Sequence, residues 1–341
     1  MSPARSGTAR RRQRLYSPWR ISSFGDPAVD DNPAGDDPFI RQAALEALGN
    51  WNGSIVVVDP NSGRILSMVN QKLALTSGFT PCSTFKPIVA LAALKEGIIT
   101  PTTRLYGGGR TRISLTEALA KSNNVFFRKL GEMLGYERLA EYAHEFGLGE
   151  KAGWNIPGES PGRFPSAAPK EGGVGYLAFC GTDMEVTPLQ MAAGISAIAN
   201  GGTIYELQYP RSQDELASFQ PRVARRLDNL LPYLPQVKEG LAAAVVYGTA
   251  RLAYDPEVQV FGKTGTCSEG GARLGWFVSY AQDLQPKYVV VVLLRGGRLM
   301  YGPHAAEIAG HLYHDLIEHD RSGTVASRAP SSLLSSSGQR R

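Results

Sequence analysis

The stretch Thr80-Pro81-Cys82-Ser83-Thr84-Phe85-Lys86-Pro87, running into the apolar segment Ile88 to Leu94, constrains this chain more than any other. A proline is tolerated in a helix only in the first turn, where its missing N–H would have had no partner. Pro87 therefore predicts a helix that begins at about Ser83 and is closed by Gly97. Ser83 and Lys86 then stand three residues apart on one face, within mutual reach. The hydroxyl lies at a helix N-terminus, where free N–H groups and the macrodipole favour developing negative charge. On these residues alone two readings stand level: an activated serine nucleophile with an amine one turn along, or a capping serine beside a surface lysine.

With 341 residues, 43% of them hydrophobic, the chain can bury one large core or two smaller lobes. The formal net charge of +5 is unevenly placed, with much of the basic excess in Arg5, Arg10, Arg11, Arg12, Arg14 and Arg20. Such an arm suits an anionic surface, but no aromatic-rich basic motif accompanies it, so no nucleic-acid partner is expected. No run of about eighteen apolar residues and no signal-peptide core is present, so membrane association is expected only through an anchor missing from this chain.

Residues 1–36 read as a disordered arm, basic and then acidic, and 322–341 as a disordered polar tail, leaving one domain over 37–321. Asp37-Pro38 starts a helix that runs to Gly49. Ile55 to Val58 and Ile65 to Val69 flank Asp59-Pro60-Asn61-Ser62-Gly63 as a hairpin. Ser114-Leu115-Thr116-Glu117 is a capping box opening a helical region through Lys121-Ser122-Asn123-Asn124 to Gly135. Further helices are predicted from Tyr136 to Phe146, after Thr187-Pro188, and from Glu239 to Ala250. Strands return at Val258 to Phe261, leading into Gly262-Lys263-Thr264-Gly265-Thr266-Cys267, and in a hairpin of Leu274 to Tyr280 with Tyr288 to Leu294. The run from Tyr288 is nearly all apolar and should lie centrally in a sheet. Pro303 opens a last amphipathic helix to about His319. Strands at both ends with helices between predict an α+β fold, an antiparallel sheet flanked by helices with an inserted all-α lobe and a cleft between.

Ser83-Thr84-Phe85-Lys86, Ser122-Asn123-Asn124 and Lys263-Thr264-Gly265 resemble, in order, the SxxK, SxN and KTG motifs of penicillin-binding proteins and serine β-lactamases. Phe146-Gly147-Leu148-Gly149, Ile156-Pro157-Gly158-Glu159, Val186 to Gln190, Ile198 to Gly202 and Val245 to Ala250 look like those of class B penicillin-binding transpeptidase domains. Two departures stand out. Cys82 takes the place of the usual glycine before the nucleophile, and Cys180-Gly181-Thr182 that of a Gly-Gln-Gly.

The resemblance implies a peptidoglycan D,D-transpeptidase. Ser83 would attack the penultimate D-Ala carbonyl of a stem peptide to form an acyl-enzyme, which an amine of a second stem peptide resolves. Lys86, neutral because of burial and of Lys263, would accept the proton. Ser122 would relay it, Asn124 would hold substrate and Lys86, and Lys263, Thr264, Gly265 and Thr266 would form the carboxylate-binding strand. The N–H groups of Ser83 and Thr266 would make the oxyanion hole. Ser83 is expected within hydrogen-bonding range of Lys86 or just beyond, with Ser122 and Lys263 lining one cavity. The reaction needs no metal or organic cofactor; the partners implied are D-Ala-D-Ala stem peptides, with β-lactams as covalent inhibitors, in the cell envelope. A serine β-lactamase is the second reading, but no Glu between Asn124 and Lys263 has an Asn four residues on. A non-catalytic β-lactam sensor is the third. The resemblance also implies a disulfide between Cys82 and Cys267, since class A carbapenem-hydrolysing β-lactamases carry a bridge at the matching positions; Cys180 would be the odd thiol. The alternative is three buried free cysteines. His304, His311, His314 and His319 read as a solvated helix face, and Trp51, Trp154 and Trp276 as core.

Overall fold

The computed structural model describes residues 19–282 and 288–328. The carboxylate of Asp37 accepts the N–H groups of Phe39 and Ile40 and so caps helix α1 (Pro38–Leu48), with Pro38 in its first turn. Strands β1 (Gly53–Val58) and β2 (Ile65–Val69) form the expected hairpin. Helix α2 (Lys86–Lys95) is buried along nearly its whole length. Gly97, at φ +67, closes it as expected. The lobe that follows is mainly helical, with α3 (Leu115–Ala120), α4 (Asn124–Leu134), α5 (Tyr136–Glu145), α6 (Gly173–Cys180), α7 (Pro188–Asn200) and α8 (Leu234–Val246). It is not the all-α lobe expected: Leu105–Tyr106 pairs with Arg112–Ile113 and Thr203–Tyr205 with Val223–Arg226 in two short antiparallel ribbons. Reciprocal side-chain to backbone bonds cap α3 through Ser114 and Glu117, and α7 through Thr187 and Gln190. The chain then returns to the sheet with β3 (Val260–Glu269), β4 (Ala272–Ala281) and β5 (Tyr288–Gly296), and ends in α9 (Gly302–Arg328).

The five strands are antiparallel in the order β2-β1-β5-β4-β3, so the apolar strand from Tyr288 is central, as its composition requires. Alternate residues face opposite ways. Val56, Val58, Val289, Val291 and Val278 pack against α2 and α7; Ile55, Val57, Val290, Val292 and Phe277 pack with α1 and α9. The α+β architecture therefore has two cores sharing one sheet.

Several expectations need correcting. The α-helix begins at Lys86 rather than Ser83, because Cys82–Phe85 form a 3-10 turn ahead of Pro87. The helical region after Ser114 is broken at Lys121-Ser122-Asn123, where Ser122 takes φ +51 and Asn123 caps the new helix by accepting from Phe126. Residues 19–36 are not a loose arm, because their polar groups have partners in the domain. Arg20 N–H bonds Gly271, Ser23 accepts from Gly297, and Asp31 and Asp36 pair with Arg41 at 3.1 and 2.6 Å. Residues 1–18 and 329–341, the rest of the arm and most of the tail, lie outside the described residues. The terminal helix runs past His319, and past 321, to Arg328. Of the tryptophans only Trp276 is core; Trp51 is half-buried against Phe24, and Trp154 is 42% exposed.

Candidate active site

Ser83 sits in the 3-10 turn, half-buried, its hydroxyl donating to the Phe179 carbonyl at 3.5 Å. One turn on, Lys86 is fully buried. Its Nζ lies 2.7 Å from the Ser122 carbonyl, 3.1 Å from Ser122 Oγ and 2.7 Å from Asn124 Oδ1. The break between α3 and α4 is what makes this possible, since it turns both Ser122 groups toward the amine. Burial, and then the charge of Lys263, hold Lys86 well below the usual lysine range. The partner set also suits a neutral amine. Two oxygens that only accept match its two N–H donors, and the Ser122 hydroxyl can donate to its lone pair.

Lys263 comes from β3, is fully buried, and donates to the Thr264 carbonyl at 2.9 Å. Burial alone brings it down to about 7. It lines a small interior cavity walled by Thr84, Pro87 and Ile88, on the same side of the sheet as the turn of Ser83. Ser122 is not part of that wall. Ser122 meets the Lys86 amine from the α lobe, and the charge of Lys263 acts on that same amine.

Three contacts clamp β3 and its neighbour β4 to the segment around Ser83. Cys82 and Cys267 are joined by a disulfide, with Cα atoms 5.6 Å apart. Glu269 accepts the Thr80 N–H at 2.9 Å, and Trp276 Nε1 donates to the Thr80 carbonyl at 3.0 Å. Gly265 faces the turn so closely that a Cβ there would lie 3.0 Å from the Pro81 carbonyl and 3.2 Å from Cys82 Cβ. Cys82 itself has φ +53, a conformation that glycine takes at no steric cost, which explains physically why glycine is the usual residue there. Thr266 is exposed at the strand edge, its hydroxyl accepting the Gly302 N–H at 2.8 Å. The free cysteine, Cys180, is half-buried with its thiol 3.1 Å from Thr182 Oγ1.

Two positions were not singled out by the sequence. Phe179 supplies the carbonyl facing Ser83. Thr249 lies 2.6 Å, oxygen to oxygen, from Thr264, while its N–H bonds Ala120 at the end of α3, tying the α lobe to β3. Thr249 falls inside the Val245–Ala250 stretch, so a signal was there, without a role attached. Of the terminal histidines, His314 pairs with Asp255 at 3.2 Å and His319 stacks on Phe39.

Comparison with known proteins fits this geometry. Residues 53–315 match the family described as penicillin binding protein transpeptidase domain. Stage V sporulation protein D of Bacillus subtilis is 29% identical over 323 residues, covering 79% of this chain and 50% of that protein, so the chain spans about half of that relative's length. The peptidoglycan D,D-transpeptidase PbpA of Mycolicibacterium smegmatis is 26% identical over 368 residues, 84% of this chain and 72% of that one. Among solved structures, the apo transpeptidase domain of Burkholderia pseudomallei penicillin-binding protein 3 superposes with a TM-score of 0.72 at 22% identity, covering 88% of this chain and 97% of that chain. Pseudomonas aeruginosa PBP2 in complex with WCK 5153 gives 0.70 at 24% identity, covering 84% and 77%. With a profile match over most of its length, the sheet order described above and the lysine-centred cluster at its edge, this chain belongs to the penicillin-binding protein transpeptidase domain family.

Proposed function

We propose that the chain is a serine D,D-transpeptidase acting on peptidoglycan stem peptides in the cell envelope, with Ser83 as nucleophile and Lys86 as its base. The observation that carries this reading is the buried Lys86 amine, held between Ser122 and Asn124 one turn from Ser83. The Ser83 hydroxyl turns from the Phe179 carbonyl toward Lys86 and gives up its proton as Oγ attacks the D-Ala carbonyl. The C–N bond to the terminal D-Ala breaks, and Ser122, bonded to Lys86, passes the proton to the leaving amine. Lys263 and the edge of β3 at Thr264, Gly265 and Thr266 bind the terminal carboxylate, and the Ser83 and Thr266 N–H groups hold the oxyanion. A second stem peptide's amine then takes the acyl group. β-Lactams acylate the same serine and inhibit.

The test is covalent labelling with a fluorescent penicillin, followed over time, alongside turnover of a D-Ala-D-Ala peptide. A persistent label confined to the Ser83 peptide, lost in Ser83→Ala, together with peptide turnover is expected. Rapid release of the label would make the chain a β-lactamase instead. Labelling at another residue would move the nucleophile.

A further inference from the structure

Trp154 is the feature the catalytic site leaves unused. A tryptophan 42% exposed on a floppy loop would mean little, but this loop is fixed. The buried Glu159 carboxylate accepts the N–H groups of Ala152 at 2.7 Å and Gly153 at 3.0 Å, and the Trp154 N–H bonds the Leu207 carbonyl at 2.8 Å. Arg222 covers one ring face, its guanidinium carbon 3.6 Å from the centroid, and is itself held by Glu206 at 2.6 Å. The indole is therefore presented in one orientation. It lines a cavity of about 460 Å³ together with Asn155, Ile156, Gln208, Arg211, Glu215 and Phe219. None of these residues belongs to the site around Ser83.

The cavity's size is that of a site for a small organic ligand, in the range of about 300–1,000 Å³. Its chemistry narrows the ligand class. Flat aromatic surface from Trp154 and Phe219 suits a ligand with an apolar C–H face. Two side-chain amides, which donate and accept at once, suit hydroxyl and acetamido groups. The charged residues of the lining are Arg211 and Glu215, one of each sign, so it carries no net charge that would call for a polyanion. A pyranose with equatorial hydroxyls offers all three features.

We infer that this cavity binds the glycan to which the stem peptides are attached, as one or two N-acetylated amino-sugar units stacked on Trp154. The inference rests on the transpeptidase reading for its choice of sugar. A cross-linking enzyme acts on a peptide carried by a polysaccharide, and a saccharide subsite outside the catalytic cleft gives affinity for the polymer while leaving the cleft free for the peptide.

The probe is the β-1,4-linked disaccharide of N-acetylglucosamine, titrated into the full chain while tryptophan fluorescence and NMR shifts are followed, with maltose as the control sugar. Binding of the acetamido disaccharide in preference to maltose is expected. Trp154→Ala should weaken it by about tenfold or more, the factor an aromatic contact supplies. Phe219→Ala, with an independent position in the lining, should also weaken it, which keeps the test intact if one variant folds poorly. Penicillin labelling of Ser83 should be unchanged in both. No binding by the wild-type chain, equal binding of maltose, or undiminished affinity in both variants would overturn the inference. So would a sugar-free stem peptide binding at this cavity in place of the disaccharide. Failure of penicillin labelling with disaccharide binding retained would instead remove the catalytic reading alone.

Discussion

Lys263 has no contact with water, and that gives the folded chain a pH dependence of its own. Burial holds its amine at about 7, against an ordinary value of 10.5 in the unfolded chain. Between those values the unfolded chain binds a proton that the folded chain has released, so stability rises with pH across the window. Lys86, lowered for the same reason and by Lys263, adds to the same slope. Tyr209, Tyr280 and Tyr313 are raised by burial and oppose it, but only above about pH 10, where unfolded tyrosine ionises. Urea unfolding should accordingly show greater stability at about pH 9.5 than near pH 7, and Lys263→Met should reduce the difference. A flat wild-type profile would contradict the buried amine. At Lys86 the expected effect is catalytic: Lys86→Ala should slow penicillin acylation by roughly 10²–10⁴-fold while leaving ground-state affinity nearly unchanged, as stopped-flow labelling can read. The residues of the three motifs were legible because their spacing is written in the sequence. Phe179 and Thr249 were not, because their roles arise only where α6 and the end of α8 are folded against Ser83 and β3.

At the scale of elements, the turn of Ser83 and β3 act as one unit joined by a bridge that closes a sequence separation of 185 residues. A loop of that length corresponds to about 5 kcal/mol on a chain-entropy estimate, an upper bound, with 2–4 kcal/mol the usual measured range. Cys82 carries a second constraint, its φ of +53. The two can be separated. Cys82→Gly removes the bridge and relieves the left-handed strain, whereas Cys82→Ala removes the bridge but keeps the backbone cost of about 1 kcal/mol that the cysteine already bears. Penicillin labelling should therefore persist better in Cys82→Gly than in Cys82→Ala, and equal rates in the two would mean that the backbone of the turn is irrelevant to acylation. Helix caps at Asp37, Ser114 and Thr187 were readable because a cap is a local exchange of bonds. The break at Ser122 and the 3-10 turn at Cys82 were not. Each is imposed by what it must meet across the cleft, Lys86 in one case and Gly265 in the other.

For the molecule as a whole, the segment before α1 is part of the fold. Asp31 and Asp36 are nearly inaccessible, with side-chain exposures of 2% and 1%, and share Arg41. Asp36 also accepts the Tyr209 hydroxyl, joining this segment to the region after α7. Arg41→Ala would leave two buried carboxylates without a cation, a loss of about 3–5 kcal/mol that chemical denaturation would register; a loss under 1 kcal/mol would show that the strap is dispensable. Its acidic residues read as disordered in sequence because partners 5, 10 and 173 positions away are invisible to composition. The sheet order has a further consequence, for the time course of folding. β1 is an early strand, yet its inner neighbour is β5, more than 200 residues later, and β4 depends on β5 as well. Until Tyr288–Gly296 has been made, both strands present bare edges of valine and aromatic side chains. A chain ending before residue 288 should therefore aggregate or be digested rather than persist as a smaller folded domain, and folding should be late, slow and all at once.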